Sequence, residues 1–185
     1  MKHWLGTLMT RVIAELERRR HEMVLAHVRG RLLDIGCGEN RLVRRYGNGI
    51  GVDVYNWGDV DLVVEDSAYL PFADQSFDTI SFVASLNHIS NRKEVLQEAY
   101  RLLKDDGRLL ITMIPPFIGM LWHKIIAPWD PDQAKRGMKP GEVWGLTAQQ
   151  IQQLLHNAGF ELIARKRFIF GLNNLYIAIK RKRLQ

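Results

Sequence analysis

The sequence holds a single cysteine, Cys37, among 185 residues. That excludes a disulfide framework and fits a reducing, cytoplasmic setting. Long apolar runs are missing as well. The longest stretch without Asp, Glu, Lys, Arg or His, residues 109–122, is fourteen residues long and is broken by Pro115-Pro116, whereas a membrane-spanning helix needs about 20. The apolar residues at the start are interrupted by Gly6, Thr7 and Thr10 and stop at Arg11, so no secretory signal is expected. The six histidines include no pair at i, i+4 with a carboxylate helper, which leaves a metal site unsupported. The net charge of +6 is spread along the chain. It forms no stripe of basic and aromatic residues, so no nucleic-acid partner is expected.

What is present is ordinary globular composition, 46% hydrophobic and 25% charged. At ~100–200 residues per domain the length suits one domain over 1–185. Residues 9–28 place Met9, Val12, Ile13, Leu16, Met23, Val24 and Val28 near 3.6-residue spacing, so an N-terminal helical segment is expected within 1–29, closed by Gly30. Short apolar runs then alternate with helical stretches, the pattern of a parallel sheet built from βαβ units. Strands are expected at 31–35, 50–54, 62–64, 79–83 and 108–114. Asn91 and Glu94 form a candidate capping box for a helix through Leu102, and Asp105-Asp106-Gly107 a turn into the next strand. Thr147 and Gln150 form a second capping box. The runs 161–170 and 174–180, parted by Gly171-Leu172-Asn173, read as an antiparallel hairpin. The stretch 115–145 shows no clear periodicity, carries Trp122, Trp129 and Trp144, and reads as a long functional loop.

The sharpest signal is Leu32-Leu33-Asp34-Ile35-Gly36-Cys37-Gly38-Glu39-Asn40. An apolar strand runs into glycines and then into a short helical segment, 39–46. Such a turn lets backbone amides approach a ligand, and a helix N-terminus favours an anionic group. Asp53 ends the next strand, fifteen residues after Gly38, where a carboxylate can accept hydrogen bonds from ribose hydroxyls. A dinucleotide fingerprint would need glycine at position 41. Arg41 stands there, and 185 residues leave little room for a hydride-transfer region, which counts against a nicotinamide-dependent oxidoreductase.

These residues resemble the class I S-adenosylmethionine-dependent methyltransferases, in the small branch that includes the quinone-biosynthesis C-methyltransferases. The likeness covers most of residues 30–114 and the C-terminal hairpin. Leu32 to Gly38 is similar to the family's first motif, Gly51-Val52-Asp53-Val54 to its second, and Glu65-Asp66-Ser67-Ala68-Tyr69-Leu70-Pro71-Phe72 to its third. Phe77-Asp78-Thr79-Ile80, Leu86-Asn87-His88-Ile89 and Arg101 to Gly107 follow in the family's order. The resemblance implies an α/β, Rossmann-like three-layer sandwich whose mostly parallel seven-stranded sheet ends in an antiparallel hairpin. Only about seven residues join the second strand to the third, so the crossover there is expected to be shortened. S-adenosylmethionine is the implied cofactor. Asp34 would orient its amino group, Gly36, Cys37 and Gly38 would line its carboxylate, and Asp53 would bind the ribose. Val54 with Tyr55 would cover the adenine, Asp66 would accept from the adenine amino group, and Ser67, Val83 and Ala84 complete the implied lining.

Methyl transfer to a small, partly apolar acceptor, lipid-like in one reading, is the implied activity. His88 is the first candidate for a base and His123 the second. Residues 115–146, together with the N-terminal helix, are expected to form a lid over the acceptor. The competing reading is a non-catalytic module that binds the cofactor or its product. Tyr100 and Lys104 match the Tyr-x-x-x-Lys spacing of short-chain dehydrogenases, but follow the fourth strand and read as helix surface. Ile114-Pro115-Pro116-Phe117 lacks the Asp or Asn of amino-methylating nucleic-acid enzymes. The basic runs Arg165-Lys166-Arg167 and Lys180-Arg181-Lys182-Arg183 read as a solvated strand face and a chain end. A second reading is peripheral membrane contact, with Trp4, Leu5, Trp122 and Trp129 at the lipid interface. Oligomeric state and the methylated atom stay open.

Overall fold

The computed structural model describes residues 2–126 and 139–181, with the side chains at 2–5, 122, 123, 125 and 126 outside the description. Strands β1 (Leu32–Ile35), β2 (Gly49–Asp53), β3 (Leu62–Val63), β4 (Phe77–Val83), β5 (Leu103–Met113), β6 (Phe160–Phe168) and β7 (Asn173–Lys180) form one sheet in the order β3-β2-β1-β4-β5-β7-β6. The first five are parallel. β7 runs antiparallel to β5, and β6 antiparallel to β7. This is the expected Rossmann-like architecture, hairpin included.

Side chains that alternate along the strands divide the core between the two faces. Leu32, Leu110, Leu175 and Ile177 face α1 (Lys2–Leu25) and α2 (Arg41–Tyr46), where Val24, Leu42 and Val43 are buried. Leu33, Leu109, Ile111 and Tyr176 face the other way, onto α3 (Arg92–Leu102) and α5 (Ala148–Asn157), through Val95, Ala99, Leu102, Ile151 and Leu155. Thr147 caps α5 with the complete capping box that its spacing with Gln150 predicts.

The short crossover is real: no helix lies between Asp53 and Leu62. Polar contacts fill that place. The Asp61 carboxylate accepts from the Gly51 amide at 2.8 Å and from Asn40 Nδ2 at 2.9 Å, while Arg44 pairs with Asp59 and Asp61.

Four local expectations are corrected. The first helix starts at Lys2 and ends at Leu25, earlier at both ends than 9–28. Asn91 does cap α3, but its side chain makes no capping bond and donates to Asp66 at 2.9 and 3.0 Å instead. Residues 105–107 do not turn the chain. β5 begins at Leu103, directly after α3, and a register shift opposite Phe77 and Thr79 absorbs the irregularity. The stretch that looked aperiodic contains α4 (Pro116–Ile126), with Pro116 at the first helical position, where its missing N–H costs nothing.

Candidate functional site

β1 delivers the chain into the glycine turn, whose shape is fixed from three sides. The Gly36 and Cys37 amides both donate to the Val52 carbonyl, at 2.8 and 3.1 Å. Gly36 takes φ +73°, and a Cβ built there would lie 2.4 Å from the Ser85 Cβ. Ser85 is itself held by a 2.6 Å bond from its hydroxyl to the Ile35 carbonyl. Gly38 also has positive φ but faces open space. At the tip of β2, the two Asp53 oxygens accept from the Gly38 amide at 2.9 Å and the Tyr55 amide at 3.0 Å. A carboxylate fixed in this way keeps outward lone pairs for further donors.

Asp34 is buried at the end of β1 and accepts from the Ser81 hydroxyl at 2.6 Å. Burial pushes its carboxyl up to about 7, with nearby Asp53 adding to the rise and the Ser81 bond opposing it. Burial, with Asp34 and Asp53 beside it, also pushes the Cys37 thiol well above the ordinary range, so it is no nucleophile.

A cavity of about 510 Å³ opens at the carboxyl ends of β1, β2 and β4. It gathers Asp34, Gly36, Cys37, Gly38, Asp53, Val54, Ser67, Val83, Ala84 and His88 from the residues singled out in the sequence. Asp66 stands outside the lining, and its carboxylate is engaged by Asn91 and the Ala68 amide. Tyr55 is also outside. It packs on Trp57 with ring centroids 4.7 Å apart, and Trp57 is the aromatic that lines the cavity. His123 belongs to α4 by backbone, but its side chain lies outside the described residues, as do the side chains of Trp4, Leu5 and Trp122 and all of Trp129.

The sequence placed the N-terminal helix over the site as part of a lid but did not say which of its residues form the wall opposite the glycine turn. Thr10, Ile13, Ala14, Glu17, Arg20 and His21 form one stripe of α1 facing the cavity. The signal was available in their i, i+3, i+4, i+7 spacing, but the stripe is largely polar, and of its residues only Ile13 belonged to the apolar pattern read from the sequence. Burial, together with Arg20, Arg45 and Arg41 nearby, pushes the His21 imidazole down to about 4. Glu142 was missed. Its carboxylate lies 3.4 Å from His88 Nδ1, with the Glu142 side chain 2% exposed. Backbone contacts hold the two together. The Val143 amide donates to the Asn87 carbonyl, and Arg92 bridges the carbonyls of Leu86, Asn87 and Gly141.

A family model described as a methyltransferase domain matches residues 1–165. A demethylmenaquinone methyltransferase of Thermotoga maritima is 31% identical over 133 residues, 64% of this chain and 58% of that protein. The ubiquinone/menaquinone biosynthesis C-methyltransferase UbiE of Pseudomonas syringae pv. tomato is 30% identical over an alignment covering 88% of this chain and 78% of that protein. The chain spans only part of several relatives, including 36% of an uncharacterized Methanocaldococcus jannaschii protein. Among solved structures, a Thermotoga maritima protein described as an S-adenosylmethionine-dependent methyltransferase superposes with a TM-score of 0.68. It is 20% identical, with 98% of this chain and all of that one covered. A Burkholderia thailandensis 1,6-didemethyltoxoflavin-N1-methyltransferase, solved with S-adenosylhomocysteine, gives 0.64 at 20% identity, covering 89% of this chain and 78% of that one. The chain belongs to the methyltransferase-domain family, within the class I S-adenosylmethionine-dependent methyltransferases.

Proposed function

We propose that this chain binds S-adenosylmethionine in the cavity and transfers its methyl group to a small, partly apolar acceptor. The observation that carries the reading is the joining of the glycine turn to Asp53 by the 2.9 Å bond from the Gly38 amide. Together they present backbone groups and a fixed carboxylate on one side of a cavity of about 510 Å³, a size typical of small-molecule sites. In this reading Asp53 receives the ribose hydroxyls, Val54 and Trp57 cover the adenine, Ser67 borders it, and Asp34 meets the amino group. Val83 and Ala84 floor the site beside Gly36.

When bound, the cofactor supplies an already activated methyl group, so the chain's own work is orientation and exclusion of water. His88, at the carboxyl edge of the sheet and beside Glu142, is the candidate base for an acceptor that carries a proton. In this reading α1 and the described parts of 115–146, namely 115–126 and 139–146, act as the lid, and residues 127–138 lie outside the described residues. Phe117 and Leu121 of α4 are 68% and 47% exposed, which suits an acceptor with an apolar body, and the quinone methyltransferases among the relatives support that class. The whole of 1–185 works as one unit in this reading.

Calorimetric titration tests it. S-adenosylhomocysteine should bind the wild type, and Asp53→Ala should weaken that binding by about tenfold or more, the loss of a charge-assisted hydrogen-bond pair. Methyl-labelled S-adenosylmethionine should then pass label to the organic-soluble fraction of a lipid extract. Tight binding without transfer to any extract component favours the non-catalytic module. Binding of a nicotinamide dinucleotide in place of either adenosyl compound overturns the reading.

A further inference from the structure

Arg20 stands out among the residues of the cavity wall. Taken as a whole the residue is half-buried, and it lines the cavity. Its Nε is shielded from water and meets no acceptor among the described residues. Burial pushes this guanidinium down from the usual arginine range, and the charge of nearby Glu17 only partly offsets that. The cavity's other cation, Arg41, is satisfied by ion pairs with Glu17 at 2.8 Å and with Glu39. Each neighbouring acid is committed elsewhere: Glu17 to Arg41, Asp34 to Ser81, and Asp53 to two backbone amides. A guanidinium with a buried, unpaired Nε is costly, and the cost is removed when an anion arrives to pair with it.

The position of Arg20 indicates which anion. Glu17, one turn earlier on the same stripe, reaches Arg41 at the start of α2, so this part of α1 lies over the glycine turn. The sequence suggested that the helix after the turn would attract the ligand's negative end. The structure weakens that source: α2 has only six residues, and its cap residue Asn40 spends its amide on Asp59 and Asp61. A negative group resting on the turn therefore needs its counter-charge from outside, and Arg20 is placed to give it.

We propose that Arg20 is the carboxylate receptor of this site, pairing with the α-carboxylate at the amino-acid end of the adenosyl ligand. The proposal rests on the reading of the cavity as an S-adenosylmethionine site. A planar guanidinium can engage such a group through two parallel hydrogen bonds, which lysine cannot reproduce.

The test pairs two ligands, S-adenosylhomocysteine and 5′-methylthioadenosine, which share the adenosyl thioether but differ in the carboxylate. Both are titrated into the wild type, Arg20→Gln and Arg20→Lys, with ligand-observed NMR for the weaker complexes. Arg20→Gln should weaken S-adenosylhomocysteine by about 30-fold or more and leave methylthioadenosine within about twofold, with Arg20→Lys in between. Without ligand, Arg20→Gln should melt no lower than the wild type, because an unpaired buried charge has been removed. Unchanged S-adenosylhomocysteine affinity in Arg20→Gln would show that the guanidinium serves another group, such as the acceptor. Equal weakening of both ligands, or a lower melting temperature without ligand, would make Arg20 a structural residue. Either result overturns the proposal while leaving the cofactor reading intact. A wild type that binds neither ligand removes both.

Discussion

At the scale of single residues, the decisive contact is the one between Gly36 and Ser85. A methyl group at position 36 meets the Ser85 Cβ at 2.4 Å and must adopt φ +73°. Gly36→Ala should therefore cost about 2–4 kcal/mol of stability, combining overpacking with left-handed strain. Gly38→Ala, with the same kind of backbone but open space around it, should cost about 1 kcal/mol. Denaturant titrations compare the two, and Ser85→Gly supplies the control. If the clash dominates, Gly36→Ala should cost at least about 1 kcal/mol less in the Ser85→Gly background than alone. Additive costs would place the whole effect in the backbone. The glycines and Asp53 were legible in the sequence because their roles are local, set by a turn and a strand tip. The roles of Asp66 and Glu142 were not legible in the same way. Asp66 is drawn off by Asn91, twenty-five residues along the chain, and Glu142 reaches His88 across fifty-four. No pattern of neighbours in the sequence announces such pairings.

Among the elements, α1 is the one whose contacting residues the sequence left open. The strands and α5 follow their patterns, since periodicity and capping report on packing that each element does for itself. The single turn or less left between β2 and β3 could be counted from the sequence, but the Asn40–Arg44–Asp59–Asp61 contacts that replace a crossover helix could not. For α1 the spacing revealed a helix and the apolar face that packs at its end, through Met23, Val24 and Val28, but not the stripe that lines the cavity. Val24, near its end, is fully buried, whereas Leu8 and Val12 are 43% and 38% exposed. The middle of the helix carries the exposed ion pairs of Glu15 with Arg18 and Arg19, which add little stability. A helix so lightly held along its first turns opens readily without ligand. Hydrogen–deuterium exchange should show slow amides near Val24 and fast ones over 8–21 in the free protein. S-adenosylhomocysteine should slow residues 10–21 by about tenfold or more, as the ligand ties the stripe to the glycine turn. Methylthioadenosine should slow them much less. Equal protection by both ligands would mean that α1 closes on the nucleoside alone.

For the molecule as a whole, two buried groups set opposing responses to pH. Asp34 titrates near 7 in the folded protein against an ordinary 3.8, so its share of stability is greatest in acid and is lost as pH rises toward 7. His21 titrates near 4 against an ordinary 6.5, so its share is greatest above 6.5 and is lost as pH falls toward 4. Between those limits each slope is about 1.4 kcal/mol per pH unit, and the two have opposite sign. The wild type should therefore hold nearly constant stability from pH 4.5 to 6.5 as far as these two groups decide it. Each variant exposes the other half. Asp34→Asn should lose stability toward pH 4.5 relative to the wild type, because only the imidazole remains to take up a proton on unfolding. His21→Gln should gain stability over the same interval by about 1–3 kcal/mol relative to the wild type. Denaturant midpoints across the pH range read both effects. Parallel profiles for all three proteins would show that neither side chain is buried with its charge suppressed, and that the wall of α1 stands further from the sheet than the cavity requires.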